Sequence, residues 1–219
     1  MKLHIFNPEH DIALAANQER FTAPHAGRRL RTDLGFIPAF WASEGDMVLV
    51  DDVEAAIEAR RHLSKFGKDV VFVTYADLKA FAFEDVESFR VDPWGWDRTI
   101  KEQLLCANSS LQSFMPSDDT LAAIREMSSR RFAAEHLLPL LREAGEEKTV
   151  GEARYCTTME EVKQAMAQNG KSVLKSPWSS SGRGVRYVET AAPDAHLEGW
   201  AANVVKRQGG IMVEPLYNK

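Results

Sequence analysis

Residues Lys171–Val188 read KSVLKSPWSSSGRGVRYV. Ser172–Ser176 is short, mostly apolar and β-prone, and it carries Lys175. Pro177 and Trp178 follow, then Ser179, Ser180, Ser181, Gly182, Arg183 and Gly184, and Val185–Val188 is β-prone again. The pattern predicts strand, Ser/Gly-rich loop, strand. Such a loop brings backbone N–H groups and hydroxyls close to a phosphate, because glycine has no Cβ to block the approach. Lys175 would give the same anion a point charge. The stretch is neither a Walker A loop, which needs Gly-Lys-Ser/Thr entering a helix, nor a dinucleotide fingerprint, which needs a third glycine and a helix.

Upstream, Lys2–Phe6 reads as a first strand ending in Asn7-Pro8-Glu9-His10-Asp11, the kind of turn that carries ligand groups in open α/β sheets. Glu9, His10 and Asp11 are set to face a substrate amine or a metal, or else to cap the following helix. The arginines 28, 29 and 31 read as a solvated cluster in a loop-like region running to Pro38. Asp46–Val50 is a second strand, Val53–Phe66 a helix with Val53, Ala56, Ile57, Leu63 and Phe66 as its stripe, and Asp69–Thr74 a third strand with the continuous apolar core of a buried parallel one. Strand, helix, strand in this order implies a small doubly wound sheet. Asp92–Asp97 (DPWGWD) is an aromatic loop or helix entry, and the turn cluster Ser113–Asp119 marks a boundary between domains 1–117 and 118–219.

In the second part, Ala133, His136, Leu137, Leu140, Leu141 and Ala144 recur at helical spacing with Pro139 as a kink or a new start, so His136 is expected to pack in the core. Thr158–Glu161 is a capping box opening a helix with Met159, Val162, Ala165 and Met166 on one face. Leu197, Trp200, Ala201 and Val204 stripe another helix, and Ile211–Tyr217 is a last strand carrying Glu214.

Composition limits the function classes. The 219 residues are 44% hydrophobic and 27% charged, ordinary globular values, and the net charge of −5 offers no general attraction to nucleic acid or an anionic membrane. Cys106 and Cys156 lack metal-site spacing and are expected to be reduced thiols, and no apolar run reaches membrane-spanning length. MKLHIFNPEHD turns polar too soon for a signal peptide, so a cytoplasmic protein is expected.

The order strand with Lys175, Ser/Gly loop, strand, helix, strand with Glu214 resembles the first half of an ATP-grasp fold, over about Ser128 to Lys219. The preceding layers are similar to the Rossmann-like domain that precedes that fold, and NPEHDIALA with DPWGWD and SPWSSSGRG resembles a bacterial group of ATP-grasp-like proteins. The resemblance implies an α/β protein: a small Rossmann-like pre-ATP-grasp domain, then a truncated ATP-grasp subdomain of α+β type with an antiparallel phosphate-binding hairpin. It implies ATP as ligand, with Lys175, Ser179–Gly184 and Arg130 toward the phosphates, Arg130 standing where the family usually has lysine. Glu214 would lie near the adenine amine or ribose, with the backbone about Leu216 at the base edge. Asn7, Glu9, His10 and Asp11 would serve the substrate side.

The reaction implied joins a small-molecule carboxylate to an amine or thiol through an acylphosphate. The family's Mg²⁺ ligands lie well beyond this strand and would fall past Lys219, so these residues are expected to have no catalytic group or metal ligand of their own and no ligase activity alone. The Glu214 strand would then lie at an exposed edge open to self-association. The alternatives are a non-catalytic nucleotide-binding or interaction module with a vestigial site, and a plain α/β scaffold.

Overall fold

The computed structural model describes residues 1–62, 65–83, 88–145, 151–179 and 181–217. The chain divides into two compact units, 1–122 and 123–219.

The first unit holds strands β1 (Lys2–Ile5), β2 (Met47–Leu49), β3 (Val71–Val73) and β4 (Arg90–Pro93) in one parallel sheet, ordered β3-β2-β1-β4. Its helices are α1 (His10–Ala16), α2 (His25–Leu34), α3 (Val53–His62), α4 (Tyr75–Ala80) and α5 (Arg98–Ala107); α6 (Asp118–Met127) contains the unit boundary. Alternation along β2 sends Met47 and Leu49 into one cluster with Leu3, Ile5, Leu78, Ile100 and Leu104. Val48 and Val50 go to the opposite cluster with Phe36, Ala39, Ala56 and Phe72. A sheet with side chains buried on both faces is the doubly wound arrangement.

Several expectations are corrected here. The stretch read as a loop around the arginines is helix α2; it buries no side chain fully, so it has no apolar stripe to betray it. The strand expected at Asp69–Thr74 is β3, parallel as expected with Phe72 and Val73 buried, but it lies at the sheet edge with Val71 exposed, because β4 joins β1 on the far side instead of extending past β3. Of Asp92–Asp97, expected to be an aromatic loop or helix entry, Asp97 does open α5 as its N-cap, but Asp92 and Pro93 belong to strand β4. Ile57 and Phe66 are exposed although they were assigned to the buried stripe, and Leu63 lies outside the described residues.

β1 is fastened by Asp46. Its Oδ1 accepts from the Lys2 N–H at 2.8 Å, and its Oδ2 takes the Ser43 N–H at 3.0 Å and lies 3.1 Å from His4 Nε2. Burial pushes this carboxyl up, but the hydrogen bonds from His4, Ser43 and Lys2 outweigh it and hold it below the usual range.

The second unit holds α7 (Arg130–Phe132), a π-helical turn (Ala133–Leu137), α8 (Leu138–Glu143), β5 (Arg154–Cys156), α9 (Met159–Asn169), β6 (Ser172–Lys175), β7 (Val185–Val188), α10 (Ala195–Gln208) and β8 (Ile211–Pro215). Its four strands are antiparallel in the order β5-β8-β6-β7. The capping box at Thr158 and Glu161 is present, and Val162, Ala165 and Met166 of α9 pack with Leu197, Ala201 and Val204 of α10 over Leu174, Ile211 and Val213. Cys156 lies in that core, where burial pushes its thiol up to about 11, so it is not a nucleophile at neutral pH.

Two further expectations fail in this unit. The Glu214 strand is not an edge: β8 pairs with β6 on one side and β5 on the other, so the short Tyr155-Cys156 strand covers the side expected to be open to self-association. His136 is exposed and stacks on Phe132 with ring centroids 4.8 Å apart, and Leu137, Leu140 and Leu141 are exposed as well, so this stripe is not core.

Candidate functional site

Alternation along β6 separates two faces. Leu174 points into the α9/α10 core, while Val173 and Lys175 share the other face with their cross-strand neighbours Glu214 and Met212. Lys175 lies one pair along from Glu214, a diagonal that a long side chain spans. Its Nζ donates to Glu214 Oε2 at 2.5 Å, and both side chains keep roughly a quarter of their surface exposed (29% and 24%).

The loop joining β6 to β7 has two parts. The first is anchored. The Arg130 guanidinium donates to the Ser176 carbonyl at 2.5 Å, to Ser179 Oγ at 2.9 Å and to the Ser179 carbonyl at 3.2 Å, while its own backbone N–H donates to the Pro177 carbonyl. Trp178 is buried; its indole N–H donates to the Arg125 carbonyl at 2.9 Å, its backbone N–H donates to Gln208, and the Arg125 guanidinium lies 3.8 Å from the ring centroid. The second part, Ser181–Arg183, is exposed, with positive φ at Ser181 (53°) and Gly182 (71°). Gly184 closes the loop, its carbonyl accepting from the Ser176 N–H, and a Cβ there would stand 2.3 Å from Ser179 Oγ. The glycines therefore serve a left-handed turn and a close approach.

The structure thus gathers Lys175, Glu214, Arg130, Ser179 and Gly184 around the root of one hairpin, with Ser181, Gly182 and Arg183 at its tip. Ser180 lies outside the described residues. Leu216 uses its backbone N–H on the Lys171 carbonyl at 3.0 Å, so that donor is not free to read a base. Trp178 is the residue this reading left without a role; its place between Pro177 and the serines was the available signal.

Arg130 carries a prediction. Arg130→Ala removes three hydrogen bonds from a charged donor, and backbone exchange at Ser176–Ser179 is expected to speed up about ten- to a hundredfold, the equivalent of about 1.5–3 kcal/mol. Arg130→Lys should rescue little, since one ammonium does not reproduce the fork that spans two carbonyls and a hydroxyl. Unchanged exchange in Arg130→Ala would remove its anchoring role.

The substrate-side candidates of the first unit separate. Asn7 and Gly95 bond reciprocally, Nδ2 to the Gly95 carbonyl at 2.8 Å and the Gly95 N–H to Oδ1 at 3.2 Å. His10 Nδ1 lies 3.0 Å from Asp97 Oδ2, and Asp97 caps α5 through the Ile100 N–H. A Cβ on Gly95 would stand 2.3 Å from the His10 ring. Asn7 and His10 are thus engaged in tying NPEHD to DPWGWD, the loops that follow the paired strands β1 and β4. Asp11 sits in the first turn of α1, and Glu9 is its N-cap without a capping side-chain bond. Of the four, Glu9 lines a cavity, where it meets Arg31. Arg31 was read as part of a solvated cluster; its side chain is 18% exposed.

No protein-family model matches this chain, and no curated protein does. Solved structures do match, and ATP-grasp proteins are among them. The RimK-domain ATP-grasp protein of Sphaerobacter thermophilus is 21% identical over 81% of this chain and 65% of that one, with a TM-score of 0.39. The ATP-grasp ligase PsnB complexed with a minimal precursor is 15% identical over 80% of this chain and 65% of that one (TM-score 0.32). PsnB with its precursor peptide PsnA2 and AMPPNP is also 15% identical, over 80% and 64% (TM-score 0.32). The chain spans about two thirds of the length of these proteins, 65% of the first. Among the described residues no helix is long and apolar enough to cross a membrane.

Proposed function

We propose that the antiparallel unit binds the phosphates of ATP on its Lys175 face, as the nucleotide-binding part of an ATP-grasp-like ligase that joins a carboxylate to an amine or thiol. One observation carries this reading: the partly exposed Lys175–Glu214 pair stands at the root of a loop whose first half is anchored by Arg130 and whose tip, Ser181–Arg183, is exposed. A lysine held by one carboxylate is charged and positioned before the anion arrives, so little reorganisation is needed when phosphate oxygens take over its donors. Glu214, released from part of that bond, is then an acceptor for the ligand's amine or hydroxyls.

In the reaction of this class the substrate carboxylate oxygen attacks the γ-phosphorus and ADP departs with the electrons of the broken bond. The amine then attacks the acylphosphate carbon and phosphate leaves. Lys175 would neutralise charge that grows on the transferred oxygens, and the Ser179–Gly184 segment would cover them. Mg²⁺ supplies charge neutralisation in such reactions. Among the described residues no group of three His, Cys, Asp or Glu side chains is gathered to hold a metal, so no residue is assigned to it.

Hydrogen exchange with and without ATP tests the proposal. Slower exchange is expected at Ser172–Lys175, Ser181–Gly184 and Ile211–Pro215. Protection confined to residues 1–122, or none, would contradict it.

A further inference from the structure

The parallel unit contains a second candidate site. Two cavities of about 390 and 680 Å³ share Phe21, Thr22, Arg31, Thr99 and Gln103 as walls. Their size is that of small-molecule sites. They lie at the carboxyl ends of the strands, since Glu9 follows β1, Asp51 follows β2 and Tyr75 follows β3. Chain order reverses beside β1, which places this at the topological switch point where open α/β sheets bind ligands.

The polar groups there are fixed and incompletely used. Arg31 donates to Glu9 Oε1 at 2.6 Å and to Gln103 Oε1 at 2.9 Å, and Tyr75 Oη also donates to Gln103 Oε1 at 3.1 Å. Burial alone would lower the Arg31 pKa, but Tyr75 and Glu9 raise it on balance, so the guanidinium stays charged. Because Arg31 has only donors, the Gln103 oxygen is the atom turned to it, and the Gln103 amide nitrogen has no partner among the described residues. Glu9 is 9% exposed, and its Oε2 is buried with no hydrogen-bond partner among the described residues. A carboxylate oxygen shut from water without a donor is costly, so the site is incomplete as it stands.

The smaller cavity's charges choose the ligand. Its walls hold two carboxylates, Glu9 and Asp51, and two guanidiniums, Arg28 and Arg31. A lone cation would meet the arginines and a lone anion the carboxylates; a molecule bearing both signs matches both. We propose that this cleft binds a free α-amino acid, with its ammonium on Glu9 Oε2 and its carboxylate toward Arg28 and the Gln103 amide. Tyr75, Ala76 and Ala107 of the adjoining cavity leave room for its side chain. The inference is independent of nucleotide binding by the other unit.

Calorimetry on the intact chain, without nucleotide, against the proteinogenic amino acids supplied singly tests it. At least one is expected to bind, and its decarboxylated amine and deaminated acid should each bind about tenfold or more weakly. Glu9→Gln and Arg28→Ala should each weaken it by about tenfold or more. Arg28 is exposed and its guanidinium engages no described residue, so Arg28→Ala reads the site even where loss of the Glu9–Arg31 pair impairs folding. No binding by any amino acid, equal binding of the amine or acid alone, or unchanged affinity in Arg28→Ala would overturn the proposal and leave Glu9 Oε2 to a buried water.

Discussion

Lys175→Ala is expected to weaken ATP and ADP binding by about ten- to a hundredfold, because a charge-assisted hydrogen bond to phosphate contributes about 1.5–3 kcal/mol. The variant should fold, since Lys175 is partly exposed and its one ion-pair partner among the described residues is Glu214, itself partly exposed. A surface pair of this kind contributes little to stability, about 0–1 kcal/mol. Stability and affinity are therefore separable at this position. A fluorescent-nucleotide titration measures the affinity and a urea melt the fold; equal affinity in the two proteins would eliminate Lys175 as a phosphate ligand. Lys175→Arg should restore only part of the loss, because a planar fork does not replace a point charge at the same place.

Asp46→Ala is expected to destabilise the parallel unit by about 2–4 kcal/mol, since it removes hydrogen bonds to a buried ionised acceptor and leaves their donors unpaired. The groups stranded are the Lys2 and Ser43 N–H and His4 Nε2, which fasten β1 to the start of β2. The sign with pH follows from the lowered carboxyl. A carboxyl held below its unfolded value of about 3.9 contributes stability that is present above that value and is lost as pH falls through the folded one. The gap between wild type and Asp46→Ala should accordingly be widest near neutrality and shrink below about pH 4. Urea unfolding across pH 3–7, followed by exchange in Lys2–Ile5 and Met47–Leu49, checks it; a gap that does not narrow in acid would contradict the role given to the charged Asp46.

What the sequence revealed had local causes. The hairpin was legible because period-two β-prone runs flank a glycine loop, and its glycines fill the very needs glycine meets, a left-handed turn at Gly182 and a close approach at Gly184. The helix after Thr158 was legible because both members of its capping box lie within one turn. The misreadings were of non-local features. β4 offers one buried residue, Val91, and becomes a strand only through its register with β1. β8 is interior because β5, more than fifty residues earlier, pairs with it. Arg31 gave no sign of its partners, since Glu9, Gln103 and Tyr75 come from three other elements and meet it only where the sheet's carboxyl ends converge.

Calorimetric titration of the intact chain with ADP tests most directly whether the antiparallel unit holds a nucleotide at Lys175. Saturable one-to-one binding of ADP is expected, displaced by ATP and lost or strongly weakened in Lys175→Ala. A flat titration, or binding that Lys175→Ala leaves unchanged, would contradict it.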